Sequence, residues 1–156
     1  MIKIALGLFA LSLTASAGLA EEMTVATPNS IKWGPAPAEL PKGGQLAVLS
    51  GDPGAKGPYV IRAKLPSGYQ VPAHSHPTTE SVTVISGTFN IGMGDKLDRK
   101  HGQTLKAGAF FSMPPKMNHY AWTSGATVIQ IHGDGPFAIN YVNPADDPSK
   151  HGSASR

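Results

Sequence analysis

His74, His76 and Glu80 stand at even spacings in the stretch 68–87, read G-Y-Q-V-P-A-H-S-H-P-T-T-E-S-V-T-V-I-S-G. Successive side chains alternate faces along an extended strand, so this spacing lets all three project to one side. Imidazole and carboxylate donors converging in that way outline a divalent-metal site. Glu80 leads into Ser81-Val-Thr-Val-Ile85, which alternates as a half-buried strand does. A carboxylate among such neighbours is costly to bury unless a cation offsets its charge. A second stretch, 108–123 (G-A-F-F-S-M-P-P-K-M-N-H-Y-A-W-T), adds a fourth candidate ligand, His119. The chain has no cysteine, so thiolate ligation and disulfide stapling are both excluded.

Short runs with strand character carry these residues: 45–49, 59–65, 70–71 leading into the histidines, 80–85, 88–92, 104–105, 110–113, 119–123, 127–132 and 137–142. Turn signals separate them, among them Gly51-Asp-Pro-Gly54, Pro66-Ser-Gly68, Pro114-Pro115 and Gly133-Asp-Gly-Pro136. With Gly 18 and Pro 14 in 156 residues, few runs of helical length survive. Many short strands without intervening helices predict an all-β sandwich or barrel. Residues 95–100 read as one solvated helical turn. No internal repeat is visible, and 40% hydrophobic with 15% charged residues fits a single domain.

Residues 1–20 read as a secretory signal, with Lys3 as the charged start, an apolar stretch over 4–13, and a cleavage site at Ala15-Ser-Ala17 or Gly18-Leu-Ala20. The apolar run is well short of the ~20 residues needed to span a bilayer. A periplasmic or secreted protein is therefore expected, free of the membrane after cleavage, with Glu21 as its first residue. Residues 21–44 read as an extended Pro-rich arm, whose Trp33 packs on the domain or on a neighbouring subunit. The barrel proper spans 45–143, and 144–156 reads as a loose polar tail. The formal net charge is +3, and the basic residues alternate with Glu80, Asp95 and Asp98, a field too weak to argue for nucleic acid.

Together the two histidine-bearing stretches resemble the cupin signature. The first cupin motif, G-x5-H-x-H-x3-E-x6-G, is met by Gly68, His74, His76, Glu80 and Gly87. The second, G-x5-P-x-G-x2-H-x3-N, is met at Gly108, Pro114 and His119, and departs at Lys116 and Thr123. The resemblance covers residues 45–142 and implies a small jelly-roll (double-stranded β-helix) barrel. It also implies that His74, His76, Glu80 and His119 hold one divalent transition metal: Fe, Mn, Cu, Ni or Zn. The Lys116 departure falls on the turn before His119, where glycine tolerates positive φ and lysine does so poorly, so a turn of different shape is expected.

His101, in a charged loop, and His151, in the tail, read as solvated. On the run 127–132, Val128, Gln130 and His132 share one face, while Thr127, Ile129 and Ile131 share the other. Gln130 and His132 are candidate pocket residues, with a surface position the alternative for His132. Ala121 and Thr123 share the parity of His119 and are expected to line the cavity, whereas Tyr120 and Trp122 face away from it. Val71, Val82, Val84 and Met113 are expected to wall it.

Four protein ligands leave two positions open on an octahedral metal, and close a tetrahedral zinc. Three functions follow: a metal-dependent oxidoreductase of dioxygenase or oxidase type acting on a small molecule, a non-catalytic periplasmic module that binds or senses a small ligand or metal, and an isomerase or lyase using Arg62 and Lys64. No general base is identifiable. Exposed sheet edges and outward aromatic positions predict a homodimer.

Overall fold

Apolar and polar residues alternate along the strands, and the alternation decides which face enters the core. In Gly57–Leu65, residues Tyr59, Ile61, Ala63 and Leu65 are buried while Val60, Arg62 and Lys64 take the other face. The structure, a computed structural model, describes residues 23–151. Among them are eleven strands: β1 (Gly34–Pro35), β2 (Gln45–Ser50), β3 (Gly57–Leu65), β4 (Gln70–Ser75), β5 (Glu80–Ser86), β6 (Thr88–Met93), β7 (Gln103–Lys106), β8 (Phe110–Met113), β9 (His119–Thr123), β10 (Thr127–Gly135) and β11 (Asn140–Tyr141).

They form two antiparallel sheets, one of six strands in the order β1-β2-β3-β10-β5-β8 and one of five in the order β11-β4-β9-β6-β7. The core lies between them, with Ile61, Val82, Val84, Ile129 and Ile131 from the six-stranded sheet meeting Val71, Phe89, Ile91 and Ala121 from the other. Each large apolar side chain removed from water there contributes about 1.5–3 kcal/mol. A smaller cluster of Ala73, Tyr120 and Trp122, covered by Leu97, packs outside the barrel, where the Tyr120 hydroxyl donates to Asp98 O at 2.9 Å. Gly87 turns the chain between β5 and β6 at φ 83, and a Cβ there would strike the Ala126 carbonyl, so no other residue fits.

The expected strands are present, most within two residues of their expected ends, and four stretches differ from expectation. Residues 137–142 pair in a ladder only at Asn140–Tyr141, with the Phe137 N–H given to Pro53 O at 2.7 Å and the Val142 N–H to Ala73 O at 2.9 Å. Residues 95–100 form bends and a turn, not a helical turn, held by Asp98 bonds to the Lys100 N–H and the His101 ring. The Pro-rich arm joins the sheet through β1, which pairs with Gln45 and Leu46, and Lys64 stands 4.1 Å over the half-buried Trp33 ring. Residues 144–151 form two short 3-10 turns. The signal segment 1–20 lies outside the described residues.

Candidate metal centre

β4 delivers His74 by way of a bulge. Val71 pairs with Ala121 and His74 with His119, but the register shifts between them. Val71 and His74 differ in parity, so a regular strand would put them on opposite faces. Pro72 has no N–H to give the ladder and sits at the irregularity. The bulge turns His74 inward beside Val71 and leaves the Pro72 carbonyl 2.7 Å from His74 Nδ1. His76 follows one residue past β4, and Glu80 opens β5 in the opposite sheet. The single strand face expected for His74, His76 and Glu80 is therefore two strands of two sheets, with residues 77–79 crossing between them. Their even spacing persists because each strand presents alternate residues to the same interior.

The three imidazole donor atoms lie within 4.8 Å of one another. Glu80 Oε2 is 3.6 Å from His76 Nε2 and 3.8 Å from His119 Nε2. Each ring places Nδ1 against a backbone carbonyl: His74 on Pro72 at 2.7 Å, His76 on Ala138 at 2.7 Å and His119 on Met117 at 2.9 Å. A carbonyl only accepts, so Nδ1 carries the proton in all three and Nε2 keeps its lone pair. Such carbonyl partners are the usual means of fixing a metal-ligating tautomer. Phe137 stacks on the His76 ring at 5.4 Å and completes its support.

Burial keeps these rings neutral. It lowers His74 to about 3, with the His119 and His76 rings adding to the effect, and lowers His76 and His119 in the same direction. Burial also raises Glu80, to about 7, against the pull of His119. The carboxylate and its histidine neighbours are thus not an ion pair, since burial favours the neutral form on both sides. His76 Nε2 is buried with no hydrogen-bond partner. A buried lone pair without a donor, beside two more and a carboxylate, fits a cation. The residues present suit an ion of the first transition row.

The site opens into a cavity of about 60 Å³. Its walls are apolar, including Val71, Val82, Ile91, Phe111, Ala121 and Ile131. Apart from the four candidate ligands, Gln45 and Tyr69 are its polar lining residues, and the Tyr69 hydroxyl is committed to Pro41 O at 2.6 Å. Val84 and Met113, expected in the wall, are buried in the core instead.

The family described as a domain of unknown function, DUF4437, matches residues 15–140. The chain belongs to the DUF4437 family. Over 69 residues this DUF4437 protein is 37% identical to germin-like protein 3-1 of Oryza sativa subsp. japonica, covering 44% of the chain and 31% of the relative, so it spans about a third of that relative's length. Its fold is similar to the polyketide cyclase RemF from Streptomyces resistomycificus, with a TM-score of 0.68 and 14% identity over 83% of this chain and 92% of that one. It is also similar to an RmlC-like cupin from Shewanella frigidimarina, with a TM-score of 0.56 and 16% identity over 70% and 87% of the two chains. The DUF4437 chain has the cupin double-stranded β-helix.

The other expected pocket residues of the DUF4437 chain stand elsewhere. Thr123 is buried, but its hydroxyl donates to Pro66 O at 2.6 Å and accepts from the Tyr69 N–H at 3.0 Å, closing the end of β9 rather than facing the cavity. Gln130 accepts from Arg62 Nε at 2.9 Å and meets His132 Nε2 at 3.0 Å. Both lie on the outer face of β10, because Ile129 and Ile131 take the inner one. Arg62 and Lys64 share that outer side on β3. Residues that sequence reasoning passed over are Leu40, Phe137 and Ile139, which line the cavity. Leu40 belongs to no periodic run, and Phe137 and Ile139 lie in the run 137–142, whose alternation marks a strand but not a place in the cavity wall.

Proposed function

We propose that this protein is an exported, metal-dependent oxidoreductase of dioxygenase or oxidase type, acting on a small molecule at a mononuclear centre held by His74, His76, Glu80 and His119. The donor set carries the reading: three buried imidazoles with Nδ1 tied to carbonyls, a carboxylate against two of them, and an orphaned Nε2 on His76. A redox-active divalent ion there would supply Lewis acidity and electrons, and six-coordination would leave two positions for substrate or dioxygen. The chain's own part is to fix the ligands, orient the bound molecule along an apolar cavity and exclude water. Support for export is the N-terminal signal pattern of residues 1–20.

A non-catalytic binding role is the second reading. It is favoured by the cavity lining, which offers no acid or base beyond the ligands except the hydrogen-bonded Tyr69. The isomerase or lyase reading loses its residues, since Arg62 and Lys64 do not line the cavity.

The test is oxygen uptake by protein loaded separately with Fe(II), Mn(II), Cu(II), Ni(II) or Zn(II), screened against small neutral compounds. Uptake with a redox-active ion, absent with zinc and in His119→Ala, supports the oxidoreductase. Binding of the same compounds without turnover in every metal form supports the binding module.

A further inference from the structure

The internal cavity, at about 60 Å³, has room for a few water molecules and not for a substrate with a sizeable body. A groove of about 330 Å³ lies immediately outside it. Leu40, Phe137 and Ile139 line both, so one layer of apolar side chains separates the two spaces. Leu40 also borders a second outer groove, of about 370 Å³, lined mainly by its own segment and by Pro148 and Ser149. It is the residue on which inner and outer spaces converge.

Leu40 is carried by the segment between β1 and β2. That segment is held by Tyr69, whose hydroxyl donates to Pro41 O at 2.6 Å, and by Tyr141, whose hydroxyl donates to Glu39 O at 2.7 Å. Within it Leu40 N–H bonds Pro37 O at 2.9 Å, and no residue from 37 to 43 joins a sheet ladder. Two side-chain hydroxyls thus do the work that a ladder does elsewhere. The Tyr141 ring is 6.1 Å from that of His74, so one of these anchors abuts the candidate metal centre.

We propose that the ligand site is composite, the inner cavity joined to the groove of Pro37, Pro53, Phe137 and Ile139 across Leu40, and that it takes an elongated molecule with an uncharged apolar body and one metal-seeking polar end. Only the polar end rests on the metal-centre reading. The joined spaces reach the lower part of the range of about 300–1,000 Å³ typical of small-molecule sites. The inner cavity is lined by no Lys or Arg and by no carboxylate but Glu80, so a charge on the part of the ligand body held there would find no partner, and the one charged residue lining the outer groove, Glu39, would repel an anion. Leu40 then sets how far the body extends, and is the specificity-determining residue.

The experiment uses a matched pair of fluorescent probes on the metal-free protein: neutral N-phenyl-1-naphthylamine and its 8-sulfonate. The neutral probe should bind at one site, at least tenfold more tightly than the sulfonate. Leu40→Trp, which thickens the partition, should weaken it at least tenfold. Leu40→Ala, which thins it, should speed its association several-fold, and melting curves establish that both variants fold. Equal binding of the two probes, or an affinity and association rate indifferent to both substitutions, overturns the proposal. Titration of the wild-type protein with Zn(II) and Mn(II) separates it from the metal reading, because the probe results stand or fall whether or not either ion binds.

Discussion

The backbone N–H of Lys116 donates to the carbonyl of His76 at 2.8 Å, so the turn before the candidate ligand His119 is fastened to the strand end that carries another candidate. Lys116 adopts φ 63 to do this, as the one non-glycine residue of positive φ among those described. The turn has kept the left-handed conformation that glycine would take, and lysine bears its strain. A left-handed residue with a Cβ costs roughly 1–2 kcal/mol, part of which glycine returns through the entropy of the unfolded chain.

Lys116→Gly should therefore raise stability by about 0.5–1 kcal/mol without changing metal affinity. Chemical denaturation with metal titration checks both. An unchanged or lowered midpoint would show that the turn is not strained.

Glu80 gives the metal-free protein a pH dependence. Its folded pKa of about 7 exceeds the ordinary 4.5, so its unfavourable contribution grows as pH rises through that window and is complete above it. The buried histidines act with the opposite sign: their lowered folded values cost stability as pH falls below the ordinary 6.5. Glu80→Gln should raise the melting temperature of metal-free protein at pH 8 and leave it near wild type at pH 4.5. A variant equally stabilised at both values would contradict the assignment.

Phe137 stacks on His76, and the adjoining Ala138 carbonyl fixes its Nδ1. Phe137→Ala should lower metal affinity about 10-fold or more, as loss of ligand support does, and stability by about 2 kcal/mol. Competition against a chelator of known affinity measures the first and denaturation the second. Loss of stability with full affinity would mean that the ring only fills space.

How much of this was legible beforehand differs from residue to residue. The four candidate ligands could be read because cupin spacing is local: His74 to Glu80 is a few residues, and His119 follows a recognisable turn. The strands could be read from alternation, as in β3. Parity failed where the ladder is irregular, since Val71 and His74 share an interior only through the bulge at Pro72. It failed again for Thr123, whose place on the inner parity of β9 is overridden by bonds to Pro66 and Tyr69 at the strand end. Gln130 is expected in the pocket and His132 either there or at the surface, and the packing of Ile129 and Ile131 puts both outside. Leu40 is a lone leucine among prolines, and its role depends on lining the same spaces as Phe137 and Ile139, about a hundred residues away in the chain.

Thr123→Val tests the structural role of that hydroxyl. The substitution removes the acceptor of the Tyr69 N–H and the donor to Pro66 O, and should cost about 1–3 kcal/mol. Metal affinity should stay at the wild-type value. A selective loss of metal or ligand binding would return Thr123 to the cavity.

Elemental analysis of protein purified from its native host, without chelator or added metal, tests the central claim most directly. About one equivalent of a transition metal per chain is expected, lost in His119→Ala although that variant remains folded. Absence of metal from wild type, or metal retained at full stoichiometry by His119→Ala, would contradict it.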